Sequence, residues 1–143
     1  PEHAGFEIKD ALIPFVKSLG FQVEDCGAYI FNKDDDYPDF IKKAAENVSK
    51  DPDSSKAIIL GGSGQGEDMV ADKFANIRSA EYYGGNLEIV KLSREHNDAN
   101  ILSLGARFLT FEEAKEAVKL WLGTEFSKEE RHMRRIKKID NIK

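Results

Sequence analysis

Three groups of residues have the types and spacing that chemistry needs. The first is a glycine run, Gly61-Gly62-Ser63-Gly64-Gln65-Gly66, followed at once by Glu67. Glycines let a backbone approach a ligand closely, and the N–H groups that open a helix have no partners within it. Together they favour an anion. A carboxylate at the mouth of such a site is ill suited to binding an anion and well suited to acting as a base on one. The second group is His96-Asn97, a ring that titrates near neutrality beside an amide. The third is Arg131 with Arg135, four apart, so that one helical face carries both guanidiniums and can clamp a phosphate.

Each group also has a plainer reading. Glu67 fits a first helical turn, where the helix dipole keeps its carboxylate ionised at neutral pH. His96-Asn97 fits a helix end followed by a turn. The basic tail fits a solvated helix, with His132 a solvated residue in it. The glycine run lacks the Lys-Ser/Thr of a Walker-type phosphate loop, and no acidic residue ends the following strand to hold a ribose. Asp34-Asp35-Asp36 has no His or Glu at ligand spacing beside it, so it reads as a solvated loop and helix cap, and no metal is expected.

The elements that position these groups follow from periodicity. Apolar residues at Ile8, Leu12, Phe15, Val16 and Leu19 predict a helix over 6–19, bent or frayed at Pro14 and ended by Gly20. Alternation over 21–24 predicts a strand, and 27–37 a loop. Pro38 starts a helix reaching about residue 50. Residues 57–60 predict a buried strand leading into the glycine run, then a helix over 67–75. A strand over 77–83 ends at Gly84-Gly85, and a helix over 87–95 follows, capped by Asn86. A strand over 101–105 comes next, and then Thr110-Phe111-Glu112-Glu113, a capping box opening a helix to Gly123. A basic helix over 128–142 closes the chain. Strands alternating with helices predict a three-layer α/β domain, a parallel sheet with helices on both faces. Ligands bind beyond the C-terminal ends of such strands. Segments 61–67, 84–85 and 105–107 lie there.

With 143 residues, 41% hydrophobic and 33% charged, the chain has the size and composition of one soluble globular domain spanning 1–143. A net charge of −5 argues against nucleic acid. Residues 124–143 carry a net +3 and the remainder −8, so a basic tail on an acidic body is set up for a local anion or another subunit. Cys26 is the only cysteine, which excludes an internal disulfide and fits a reducing cytoplasm. No apolar run approaches the ~20 residues that span a membrane.

His3-Ala4-Gly5-Phe6, Asp36-Tyr37-Pro38-Asp39-Phe40, the glycine run, His96-Asn97-Asp98-Ala99-Asn100 and Arg131-His132-Met133-Arg134-Arg135 occur in that order. In these motifs the chain resembles the ribose-5-phosphate isomerase B family, which includes galactose-6-phosphate isomerase subunits. The resemblance implies a metal-free and cofactor-free aldose–ketose isomerase on a Rossmann-like parallel sheet. It also implies a homodimer, or a tetramer built from it, with composite active sites. Glu67 would be the base that moves a proton between C1 and C2. Many members use a cysteine just before the glycine run, where this chain has Gly61, so it resembles the subset with a glutamate base. His96 would open the sugar ring as acid–base group. Asn97 and the backbone of Gly62, Ser63, Gly64, Gln65 and Gly66 would hold the enediolate. Glu2, His3, Arg107, Arg131 and Arg135 would contact the substrate, chiefly its phosphate. His96, Asn97 and Arg107 would come from the partner subunit. Glu2 stands where the family usually has Asp, and the family's first β-strand, upstream of Pro1, is absent from the sequence.

The expected reaction is interconversion of ribose 5-phosphate and ribulose 5-phosphate. Isomerisation of a six-carbon phosphate, galactose or allose 6-phosphate, is the rival within the enzymes, and a non-catalytic sugar-phosphate-binding paralogue is the rival outside them.

Overall fold

A computed structural model describes residues 3–27 and 36–142. In chain order the elements are α1 (His3–Ser18), α2 (Tyr37–Lys50), β1 (Ala57–Gly61), α3 (Gln65–Ala71), β2 (Ser79–Tyr82), α4 (Glu88–Glu95), β3 (Ile101–Gly105), a 3₁₀ turn (Ala106–Phe108), α5 (Phe111–Gly123) and α6 (Glu130–Asp140). The three described strands form a parallel sheet in the order β1-β3-β2. Parallel neighbours need a crossover, and each here runs through a helix.

The central strand explains the layers. All five residues of β3 are buried, as a strand covered on both faces must be. Its side chains alternate between two cores. Leu102 and Leu104 join Leu60 under Ile8, Leu12 and Val16 of α1 and Val118 and Trp121 of α5. Ile101 joins Ile59 under Ile41, Ala45 and Val48 of α2 and Ala71 of α3. Helices thus cover both faces, as the alternating pattern predicted. The capping box is formed: Glu113 N–H donates to Thr110 Oγ1 at 3.1 Å, and Thr110 N–H donates to Glu113 Oε1 at 2.9 Å. The Glu88 N–H donates to Asn86 Oδ1 at 2.9 Å, so Asn86 does cap α4. α1 runs through Pro14 to Ser18; the proline is exposed, so the helical bond it removes lies on the solvent side.

One predicted strand does not form. Residues 21–24 alternate but make no ladder. A strand needs a neighbour, and a groove of about 670 Å³ lies between this segment and β1. Its walls come from α1, α2, residues 21–27, Ala57–Leu60 of β1 and Trp121 of α5. The side of β1 away from β3 has no strand partner among the described residues. Trp121 Nε1, buried at this groove, finds no hydrogen-bond partner among them either. The helix expected over 67–75 is shorter and begins earlier, because Gly64 at φ 77° turns the chain directly into α3. No described helix is long and apolar enough to cross a membrane.

Candidate active site

Glu67 is the third residue of α3 and is buried, 7% exposed. Its carboxylate lies against the Cα of Gly61, where any Cβ would overlap it. The loop between them is held from behind. The Arg107 N–H donates to Gly62 O at 3.0 Å. The Ser103 hydroxyl donates to Gly64 O at 2.6 Å, joined there by the Asp68 N–H at 3.0 Å. Carbonyls tied to the sheet and to α3 fix the loop's shape in advance, which is what stabilising a developing oxyanion requires. Ser63 Oγ accepts from the Gln65 N–H at 3.3 Å. From the start of α2, the Tyr37 hydroxyl lies against the Cα of Gly66. Tyr37 was visible in the sequence only as part of a motif, without a role.

An acidic pocket backs this loop. The Ser79 hydroxyl donates to the Asp68 carboxylate. Glu81 of β2 lies opposite Ser103 in the register, on the face that α3 covers, and its Oε1 is buried with no partner among the described residues. Burial first, then Asp68 and Glu67, push the Glu81 carboxyl above its usual range. Burial likewise raises Asp68, against the Ser79 hydrogen bond. It raises Asp72 to about 6, against the Ser79 N–H that Asp72 accepts.

A second cluster forms around the end of α4. His96 is its C-cap, and its ring packs on that of His132 with centroids 4.3 Å apart and planes 46° apart. His132 is 4% exposed, so the expectation of a solvated residue is wrong: α6 folds back onto the end of α4 and covers it. Arg78, just before β2, braces the turn after His96. Its Nε donates to Asn97 O at 3.0 Å, and its Nη1 pairs with Asp140 of α6 at 2.8 Å. Arg131 and Arg135 are exposed on α6, and Arg131 Nε pairs with Glu129 at 3.2 Å. The sequence had marked neither Arg78 nor Asp140.

The two clusters lie at opposite ends of the parallel strands. The glycine loop follows β1, whereas His96-Asn97 precedes β3, and the two strands run parallel from the Ala57–Ile101 pair to the Gly61–Gly105 pair. Five strand residues separate the ends by roughly 15 Å. Arg107 lies at the other end of β3 from His96 and Asn97. Arg107 follows β3, and its backbone is bonded to Gly62 of the same chain, while Arg131 and Arg135 share α6 with the His132 that packs on His96. His3 opens α1, which packs on the turn carrying Arg107. Glu2, Asp34 and Asp35 lie outside the described residues.

Known proteins share both the sequence and this fold. The family model described as Ribose/Galactose Isomerase matches residues 1–139. "Ribose-5-phosphate isomerase B" of Mycolicibacterium paratuberculosis is 43% identical over 135 residues, covering 94% of this chain and 83% of that protein. The Escherichia coli protein of the same name is 33% identical, covering 99% of this chain and 91% of its own. The crystal structure of ribose-5-phosphate isomerase B from Mycoplasma genitalium with bound ribulose-5-phosphate superimposes with a TM-score of 0.91 at 35% identity, covering 96% of this chain and 89% of that one. With the family model matching nearly the whole length, the chain belongs to the ribose/galactose isomerase family.

Proposed function

We propose that this protein is an aldose–ketose isomerase that interconverts ribose 5-phosphate and ribulose 5-phosphate through an enediolate. The observation that carries the reading is the buried Glu67 carboxylate, seated against Gly61 inside a loop whose carbonyls are already bonded. Such a carboxylate can reach two adjacent carbons of a sugar lying on the loop. The loop's N–H groups can meet the oxygen on which charge develops.

In this reading His96 opens the furanose, protonating the ring oxygen and taking the proton of the anomeric hydroxyl. Glu67 removes the proton from C2, and electrons move toward O1. The backbone of Gly62 to Gly66 and the Asn97 amide stabilise the enediolate. Glu67 returns its proton to C1, and the hydroxyl proton passes from O2 to O1. Arg131 and Arg135, with Arg107, His3 and Glu2, hold the far end of the substrate, so that binding energy remote from the reaction positions the reacting carbons.

One chain holds Glu67 and His96 at opposite ends of its strands. We therefore assign the working site to a homodimer, in which the glycine loop of one copy faces His96, Asn97 and α6 of the other; a tetramer would pair two such dimers. A lone cysteine fits a reducing cytoplasm. Turnover measured on ribose 5-phosphate, galactose 6-phosphate and allose 6-phosphate tests the substrate. The expected order places the five-carbon sugar at least tenfold ahead in kcat/KM, and a six-carbon sugar in first place would overturn the assignment.

A further inference from the structure

His132 takes no part in the reaction as outlined, yet its ring packs on that of His96. Two features set it apart from the other charged or titratable residues of α6. It is 4% exposed, while Arg131, Arg134, Arg135, Lys137 and Lys138 are all exposed. Its Nδ1 lies 3.2 Å from the Ser127 hydroxyl, which fixes the ring about its own axis. Ser127 in turn donates its backbone N–H to Glu95 O at 3.1 Å, one residue before His96. The stretch 127–132 thus forms a closed bracket from the backbone of α4, through Ser127 and the His132 ring, to the face of the His96 ring. Arg78 closes the other side by holding Asn97 O and Asp140.

We infer that His132 is a positioning residue for the ring-opening step, holding the His96 ring in the orientation in which it meets the sugar. The inference rests on the isomerase reading given above. An acid–base ring has to present one nitrogen to its substrate within a narrow range of directions. His96 is a helix C-cap, half-buried, where a ring has room to turn about its χ angles. A second flat ring 4.3 Å away removes that freedom. Burial lowers the pKa of His132, and His96 and Arg131 push it the same way against Glu129, which favours the uncharged ring beside His96. A neutral ring can pack there without repelling the imidazolium that forms when His96 takes up a proton.

The test uses the difference between the two substrates. Ribose 5-phosphate is mainly a closed furanose and needs ring opening. Ribulose 5-phosphate carries its phosphate on the C5 oxygen, cannot close a furanose, and exchanges its C1 proton through Glu67 and the enediolate with no ring-opening step. The variants are His132→Ala, His132→Phe (which keeps a flat ring and loses the Ser127 bond) and His132→Gln (which keeps a polar partner and loses the ring). Each is measured for turnover of ribose 5-phosphate and for deuterium uptake from heavy water at C1 of ribulose 5-phosphate.

The expected result for His132→Ala is a loss of about tenfold in kcat on ribose 5-phosphate with KM within twofold, and C1 exchange within twofold of the parent. His132→Phe recovers most of the turnover and His132→Gln does not. Equal loss of turnover and exchange in His132→Ala would overturn the inference in favour of a general structural role, as would full activity in both assays. If the alanine variant does not fold, the order of the other two decides: glutamine above phenylalanine overturns it. Failure of the isomerase reading itself looks different, since the unmodified protein would then neither convert ribose 5-phosphate nor exchange the C1 proton.

Discussion

The carboxylate of Glu67 occupies the space directly over the Cα of Gly61, so a side chain at 61 and a base at 67 exclude one another. The family resemblance places a catalytic cysteine at position 61 in many members. In this chain that small volume is filled by the Glu67 carboxylate, from the helix rather than from the strand. Gly61→Ala therefore has to displace Glu67, and kcat is expected to fall at least a hundredfold, with the fold retained by circular dichroism. Activity within a few-fold of the parent would mean that Glu67 does not work from the position it has here.

Removing the base while keeping its shape isolates proton transfer. Glu67→Gln is expected to lower kcat by about 10² to 10⁴, the span usual for a positioned base, with KM within about threefold. Loss of deuterium exchange at C2 of ribose 5-phosphate is the direct readout. Turnover close to normal would remove Glu67 from the mechanism.

The separation of Glu67 and His96 by the length of β3 makes complementation possible. Glu67→Gln and His96→Ala homodimers are each expected to be inactive. Co-expressed with different tags, they form mixed dimers with one native site and one doubly defective site. Purified mixed dimers should recover about half of the parental activity per dimer. No recovery in such dimers would place the whole site within one chain.

Arg135 is exposed on α6, four residues from Arg131 and on its face. Charge-assisted bonds to phosphate contribute about 1.5–3 kcal/mol each, so Arg135→Ala is expected to raise KM roughly ten- to a hundredfold. Because the phosphate lies away from the reacting carbons, kcat should change less. An unchanged KM would remove Arg135 from the phosphate site. Arg131 pairs with Glu129 in the absence of substrate, so Glu129→Gln should lower KM modestly by releasing it.

Asp72 gives a pH signature in stability. Its folded pKa is raised to about 6, mainly by burial, whereas the unfolded group titrates near ~3.9. Between those values the folded protein binds more protons, so stability falls as pH rises through this window. Asp72→Asn keeps the oxygen that accepts the Ser79 N–H and removes the titration. The variant should match the parent at pH 4 and melt a few degrees higher at pH 7. The gain stays at about 1 kcal/mol or less, because the side chain is only partly buried and solvent screens it. A melting difference that is the same at both pH values would show that Asp72 does not titrate in this range.

Much of the architecture was legible because its signals are local. The Thr110–Glu113 capping box, the Asn86 cap and the buried run of β1 each state their geometry within a few residues. The glycine loop was legible for the same reason, down to the Glu67 that ends it. Residues 21–24 misled because alternation is also local, whereas a strand exists only where a ladder partner lies beside it. His132 misled because its burial comes from α4, more than thirty positions earlier in the chain. Arg78 and Asp140 escaped notice altogether, since nothing near either residue announces a partner 62 positions away.

The chain has a single tryptophan, and it stands at the wall of the groove beside β1 with its indole N–H unbonded among the described residues. That makes Trp121 a built-in optical gauge. Any segment or ligand that enters the groove and offers an acceptor changes both the polarity around the indole and its hydrogen bonding. The wavelength and lifetime of its emission will then report occupancy of the groove. No label is needed, and the signal comes from one residue whose position is known.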